Sequence, residues 1–396
     1  MAARVPSIPD ARWMGQALDL AKRGVGLTSP NPPVGALIVS QEGAVIGSGF
    51  HRKAGMPHAE IVAIDEALEM NPRALPGSTL YVTLEPCSTQ GRTPPCTQTI
   101  KDVGIRRVVF GAADPNPKHT NRSYAILGAS GVQVTGGVLE DECLDMIRPF
   151  SKWVMTGLPW VIVKVGQSLD GRITRPPGEP VWITSDSARS HARRLRLRAD
   201  AILIGAETLR KDNPRLTLRD ADVGTGKEQP WRVVLTRSGR LPVDAHLFTD
   251  AFKDRTVILQ NLSFTEALRE LGRRGVCTVL VEGGGIVIGQ AFQSQEVDEV
   301  HWYIAPRICG SGRPSFAGLP LPFSIPLDHA KVLPIADNVC ISGFPVWPDV
   351  PLENEAAAPL STPAPTGTPD AGPSPASPFT AVTPAVFQSP PAISTP

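Results

Sequence analysis

The sequence predicts two successive α/β domains followed by a tail with no fold of its own. Three observations carry this prediction. Short runs rich in Val, Ile and Leu alternate with helix-period segments from residue 10 to about 345; the alternation pauses around residues 148 to 158; and the composition changes abruptly at Asp349. Strand alternating with helix is the pattern of α/β architecture, and 396 residues suffice for two ordinary domains. The expected boundaries are therefore 1–150, 158–348 and a tail over 349–396.

In the first unit, Asp10 is expected to cap a helix whose Trp13, Met14, Ala17, Leu18 and Ala21 share one face, with Gly24 ending it. "VGALIVS" and "AVIGSGF" flank the short turn "QEG", a hairpin signal. "HAEIVAIDEALEM" reads as helix, "TLYVTLEP" as strand, "PPCTQTIKDVG" as helix and "RRVVFGAAD" as strand. The second unit starts at "LPWVIVKV". Its clearest strands are "DAILIGAETL", "WRVVLT", "RTVILQ" and "CTVLVEGGG", several of them ending in glycine. In the tail, 12 of 48 residues are proline and none is Lys or Arg. Such a segment buries too little apolar surface to offset its ordering entropy, so it is expected to be disordered.

Composition narrows the function classes. Hydrophobic content of 41% and charged content of 19% suit a globular protein with a sizeable core. A formal net charge of +1 gives no bulk attraction to nucleic acid or to an anionic membrane, and neither is expected as a partner. No run approaches the roughly 18 apolar residues of a membrane span, and "MAARVPSIPDARWMG" lacks the apolar core of a secretory signal. The expected location is the cytoplasm, where structural disulfides are rare.

"EPCSTQGRTPPC" places Cys87 and Cys96 between prolines, and "PHAE" upstream supplies His58 and Glu60. One neutral imidazole and two thiolates make a good set for zinc (Zn²⁺), leaving the fourth tetrahedral position to water. The ligand charges cancel the ion's, and the metal draws the water's pKa toward neutrality. Glu60 can then move a proton from that water to a leaving nitrogen. The chemistry is hydrolytic deamination of an amidine-like carbon.

Residues two apart on a regular helix point roughly 200° from each other. His58 and Glu60 can therefore face one metal only from an irregular first turn, and Pro57 puts the helix start there. Cys96, after Pro94 and Pro95, should open a helix whose dipole and free N–H groups favour a thiolate. The H-x-E…P-C arrangement is that of zinc deaminases. Cys143, Cys277, Cys309 and Cys340 have no such context and read as core.

In the second unit, "TVLVEGGGIVIGQAF" is a strand, three glycines and a helix start. Backbone N–H groups at such a turn can approach a phosphate. The spaced G-x-G-x-x-G fingerprint is absent, so a classical dinucleotide fold is not indicated. Arg193, Arg194, Arg196 and Arg198 on their own read as a solvated helix face, and Trp182 alone as core.

Eight residues separate Cys87 from Cys96, where cytidine and tRNA-adenosine deaminases have P-C-x-x-C. With "TSPNPPVGALIV", "GSGFHRKAGMPHAE" and "ADPNP", this stretch resembles the deaminase half of the bifunctional riboflavin-biosynthesis deaminase/reductase family, and the likeness runs over roughly residues 10 to 345. The resemblance implies a cytidine-deaminase-like α/β/α domain followed by a dihydrofolate-reductase-like α/β domain that uses NADPH. It implies deamination of a phosphoribosylamino diaminopyrimidinone and then reduction of its ribose to ribityl. By the same likeness Asn31, His51, Arg92, Asp114 and Asn116 line the deaminase pocket. Gly166, Trp182, Thr208, Asp212, Gly284, Gly285 and Gly289 hold the cofactor, and Arg196, Leu216, Arg219 and Glu282 hold the reductase substrate. The family likeness also admits a homo-oligomer.

Four positions depart from the family pattern. Asn121 and Ser123 stand where two glycines follow "DPNP", and positive φ costs them more than glycine. Pro180 replaces a serine, removing a hydroxyl and an N–H. Arg237 replaces a small polar residue and is expected to pair with the 2′-phosphate of NADPH. Two alternatives stay open at this point: a deaminase of another nucleoside or base, and a chain whose second domain is a degenerate scaffold.

Overall fold

A computed structural model describes residues 8–89, 94–117, 119–219, 226–318 and 321–348. Arg92 and the proline-rich tail lie outside the described residues.

The first unit begins with α1 (Ile8–Lys22), which starts before Asp10. Asp10 is therefore inside the first turn and does not cap it. Its carboxylate instead takes a bidentate pair from Arg107 at 2.7 and 2.9 Å and the Tyr81 hydroxyl at 2.9 Å. The sequence signal for a cap was real polarity with a different use: it pins the helix to the sheet. The helix also ends short of Gly24, and the positive φ of the turn falls on Gly26.

β1 (Gly35–Val39) and β2 (Val45–Phe50) form the expected antiparallel hairpin. Its turn is closed by the Ser40 hydroxyl, which accepts from the Glu42 and Ala44 N–H groups. α2 (Ala59–Met70), β3 (Thr79–Leu84), α3 (Cys96–Asp102), β4 (Arg107–Ala112), α4 (Arg122–Ala129), β5 (Gln133–Thr135) and α5 (Glu140–Thr156) follow. The five strands run in the order β2-β1-β3-β4-β5, with β3, β4 and β5 parallel. Side chains alternate across a strand, and two close approaches show which helix covers which face. A Cβ on Gly35 would lie 2.0 Å from the Ala17 carbonyl of α1, and one on Gly47 2.2 Å from the Ala63 carbonyl of α2. Ile38 is paired with Gly47, so Gly35 points to the opposite face from this pair. The sheet is thus sandwiched between helices, with a core including Met14, Ile38, Ile64, Leu80, Val108 and Leu127.

α5 runs through the expected junction without a break and is ended by Gly157 at φ +73. β6 (Trp160–Ser168) starts the second unit, followed by α6 (Asp186–Arg193), β7 (Ala201–Gly205), α7 (Ala206–Asp212), β8 (Trp231–Thr236), α8 (His246–Thr249), β9 (Thr256–Gln260), α9 (Phe264–Arg273), β10 (Thr278–Gly283), α10 (Gly285–Gln293), β11 (Glu299–Ala305), β12 (Leu327–Ile335) and β13 (Asn338–Pro345). The strand in "DAILIGAETL" ends at Gly205, and "AETL", which reads as the start of a polar loop, is already helix. The eight strands are ordered β12-β13-β11-β6-β10-β7-β8-β9. From β11 to β9 neighbours are parallel, and an antiparallel β12–β13 hairpin forms one edge. Val161, Val163 and Val165 of β6 pack with α9 and α10, while Ile162 faces Leu195 and Ala199 on the other side. Both faces are covered, which explains why these strands read as continuous apolar runs.

Candidate active sites

His58 is the N-cap of α2 with φ −69° and ψ 162°, and Glu60 lies in the first helical turn. The extended cap residue breaks the helical period, so the two side chains are not held on opposite faces. Cys87 sits in the loop after β3, and α3 begins at Cys96. His58 Nδ1 is 3.6 Å from Cys87 Sγ and 3.4 Å from Cys96 Sγ. All three donor atoms lie within 4.8 Å of one another. Donors 2.0 to 2.3 Å from one tetrahedral ion are about 3.5 Å apart, so the spacing and the donor set both fit zinc.

The electrostatics agree. Hydrogen bonds from Cys96 and His58 bring the Cys87 thiol down to about 4. The shared bond with Cys87 raises His58 to about 9. Cys96 is pushed up, because it gives its proton to the Cys87 sulfur and is buried beside Glu60. The first N–H of α3 points at Cys87 Sγ, 3.3 Å away. The helix start thus favours the anion of Cys87. Glu60 is 4% exposed, and burial raises its carboxyl above the usual range.

Asn31 and His51 meet beside this cluster. Asn31 Nδ2 is 3.0 Å from His51 Nε2, and His51 Nδ1 is 3.1 Å from the Pro57 carbonyl. The carbonyl accepts, so Nδ1 carries the proton and Nε2 accepts from Asn31. Burial lowers the His51 pKa, which agrees with a neutral ring. Asp114 accepts from the Asn116 N–H at 2.8 Å, and burial raises its carboxyl.

Glu85 is a residue the sequence reading did not single out. Its buried carboxylate accepts from the N–H groups of Asp114, Asn121 and Ser123 at 3.2, 2.9 and 3.0 Å, and from the Ser123 hydroxyl at 2.8 Å. The two departures from the family's glycines are absorbed here. Asn121 takes the left-handed conformation at φ +59, which asparagine tolerates better than most residues. Ser123 needs no positive φ, and its hydroxyl is bonded.

The second cluster lies at the carboxyl ends of β6 and β10. The chain leaving β6 crosses toward β7 by α6 on one face, and the chain leaving β10 crosses toward β11 by α10 on the other. Adjacent strands whose connections part in this way open a crevice at their carboxyl ends. Arg196 and Glu282, each expected to hold substrate, are bonded to one another at 2.6 and 2.8 Å. Arg196 also donates to the Thr217 carbonyl at 2.8 Å. Burial would raise the Glu282 carboxyl, but Arg196 and Lys164 outweigh it and hold it at about 2. Lys164 was missed in the sequence because one lysine in an apolar run reads as a snorkelling residue. It lies on the Ile162 face, where its charge acts on both Glu282 and Asp212.

The other expected cofactor residues spread along this end of the sheet. Thr208 Oγ1 accepts the Gly284 N–H at 3.0 Å, joining α7 to the glycine turn. Gly166 faces Thr184. Trp182 is 62% exposed, not core, and carries the Arg189 guanidinium 4.6 Å above its ring. Leu216 is buried, whereas Arg219, Asp212 and Arg237 lie on the exposed side, Arg237 just beyond β8. Gly285 and Gly289 have a reason of their own for being glycine. A Cβ would come within 2.5 Å of the Pro314 carbonyl or 2.1 Å of the Ala317 carbonyl, so α10 needs them to pack against that loop.

Comparison with known proteins covers both units. The family of the cytidine and deoxycytidylate deaminase zinc-binding region matches residues 8–112, and the RibD C-terminal domain family matches residues 159–341. The riboflavin biosynthesis protein RibD of Synechocystis is 39% identical over 76% of this chain and 86% of its own, and that of Escherichia coli 35% identical over 78% and 91%. Among solved structures, RibD of Acinetobacter baumannii has a TM-score of 0.77 at 34% identity, covering 86% of this chain and 99% of its own. The diaminohydroxyphosphoribosylaminopyrimidine deaminase/5-amino-6-(5-phosphoribosylamino)uracil reductase of Thermotoga maritima has 0.76 at 33%, covering 85% and 99%. The chain belongs to the RibD family, the bifunctional enzymes of riboflavin biosynthesis that join a zinc-binding deaminase domain to a reductase domain of the NADPH-dependent type.

Proposed function

We propose that the first site converts 2,5-diamino-6-(5-phosphoribosylamino)pyrimidin-4-one and water to the uracil derivative and ammonia, and that the second reduces the ribosyl group of that product to ribityl. The observation that carries the reading is the meeting of His58, Cys87 and Cys96 beside buried Glu60. His58, Cys87 and Cys96 would hold zinc there, and the ion would acidify a water toward neutral pH. Glu60 accepts a proton from the water and returns it to the departing nitrogen, a role for which a carboxyl with raised pKa is suited. Asn31 and His51 hold the pyrimidine or ribose, with Asp114 and Asn116 lining the pocket and Arg92 reaching the phosphate.

In the second site NADPH supplies the hydride. Gly166, Trp182, Thr208, Asp212 and Gly284 to Gly289 seat the cofactor, with Arg237 toward its 2′-phosphate. Leu216, Arg219, the bonded pair Arg196–Glu282 and Lys164 face the phosphoribosyl group and hold its C1′ toward the nicotinamide. A cytoplasmic location suits six free thiols.

The test is NADPH oxidation by the full chain given the diaminopyrimidinone ribosyl-phosphate, with and without prior zinc removal. Oxidation lost on zinc removal but regained with pre-deaminated substrate supports both assignments. No oxidation of either substrate sinks the reductase assignment.

A further inference from the structure

A set of polar contacts between the two units is used by neither catalytic cluster. They converge on the segment leading into Asn31, which lies against the amino-terminal edge of the eight-stranded sheet. Lys227 Nζ donates to the Gly26 carbonyl. Asp200, just before β7, accepts from the Cys277 and Thr278 N–H groups at 2.9 and 3.0 Å and from the Ser29 hydroxyl. The Cys277 thiol is 3.7 Å from the Pro30 carbonyl. Gly26, at φ +77, presses so closely that a Cβ there would be 1.9 Å from the Leu197 carbonyl. The chain beyond His51 is held by the same edge, since Lys53 pairs with Glu228 at 2.6 Å.

Both partners of the Asn31–His51 pair thus stand on segments anchored to the second unit. Within the 23–34 connection, the chain's own turn bonds include Leu27 N–H to Gly24 and Asn31 N–H to Thr28, at 3.0 and 2.8 Å. The two ends of the connection are placed against β2 from within the first unit, by the His51 N–H to the Val34 carbonyl at 2.9 Å and by Arg23 over the Phe50 ring at 4.5 Å. Between those ends, residues 26–30 take their placing contacts from the second unit. Stability alone is a poor reason for them, because taking a charge from water costs more than hydrogen bonds to backbone and hydroxyl groups readily return. Burial presses on both charges here, raising Asp200 and lowering Lys227.

We propose that Asp200 and Lys227 of the reductase unit are positioning residues for the deaminase, fixing segment 26–31 so that Asn31 meets His51 at the pocket. Each acts through the segment and touches no substrate. The inference rests on the reading of Asn31 and His51 as substrate contacts.

The experiment compares Asp200→Asn, Lys227→Met, their double variant and Asn31→Ala in the full-length zinc-loaded chain. Ammonia release is followed from the diaminopyrimidinone substrate, and NADPH oxidation from the pre-deaminated one. Each interface variant should raise the deaminase KM about five- to tenfold, the loss of one positioning bond, with kcat changed less than about twofold. Reductase kinetics should stay unchanged. The double variant has no lone buried charge and should recover thermal stability, yet keep the raised KM. A KM that returns to normal with stability would mean that the two residues only hold the fold, and the proposal fails. Unchanged KM in the interface variants, with a raised KM in Asn31→Ala, overturns the coupling and leaves the pocket reading standing. An unchanged KM in Asn31→Ala removes that reading and the coupling with it.

Discussion

Glu85 and Ser123 show how a departure from a family pattern is absorbed by one neighbour. Ser123→Ala removes the hydroxyl bond to Glu85 and should lower stability by about 1 kcal/mol, read from urea midpoints. Asn121→Gly should be tolerated, whereas Asn121→Val should be worse than either, because a β-branched residue resists φ +59. Glu60→Gln should lower ammonia release by about 10²- to 10⁴-fold and leave the reduction of pre-deaminated substrate intact. Glu282 carries a pH prediction. Its folded carboxyl sits at about 2 against an ordinary 4.5, so its pairing with Arg196 stabilises the fold fully above pH 4.5 and is lost as pH falls through 2. Glu282→Gln should therefore open a stability gap of about 3 kcal/mol at neutral pH, and the gap should narrow between pH 4.5 and 2. A gap of equal size at pH 3 and pH 6 would contradict the assignment. His58, Glu60, Cys87 and Cys96 were legible in the sequence because Pro57 and Pro95 announce the two helix starts that aim them. Glu85 and Lys164 were not, since their partners lie far along the chain and neither has a spacing to betray it.

Periodicity identified most of the elements, and the misreadings have local causes. The strand in "DAILIGAETL" ends at Gly205 as read, but the polar stretch after it reads as loop where α7 starts at the next residue, because seven residues are too few to show a helical period. β12 was not singled out because it is an edge strand, exposed along most of its length, and has no buried face to impose a two-residue alternation. At α10 the glycines are legible as special, but the sequence cannot tell phosphate approach from helix packing. The structure separates the two. Gly289→Ala drives a methyl group toward the Ala317 carbonyl and should cost about 1 to 3 kcal/mol of stability, seen as a lowered unfolding midpoint without cofactor. If the variant unfolds like the parent and only its NADPH affinity falls, the packing account is wrong.

For the molecule as a whole, two covered sheets were legible from alternating strand and helix, but the way the units are joined was not. The contacts between residues 26–31 and the edge formed by 197–200, 227 and 277 join positions hundreds of residues apart through backbone groups, which leave no compositional trace. A metal ion linking α2, the loop after β3 and the start of α3 should add stability to the first unit, since binding to the folded state alone shifts the equilibrium toward it. Calorimetry with and without a chelator should therefore show the deaminase transition moving down on chelation while the reductase transition moves less. α5 has a further consequence, for dissection. Its last turns carry Lys152, paired with Asp298 at 2.6 Å, and Trp153, whose indole donates to the Gly272 carbonyl at 2.9 Å. Gly272 itself has no room for a Cβ beside the Gly157 carbonyl. A cut after residue 150 would split that helix but leave its final turns on the fragment that holds their partners, whereas a cut at 157 keeps the helix whole and severs those contacts, giving each piece a raw face that a solubilising substitution would have to cover.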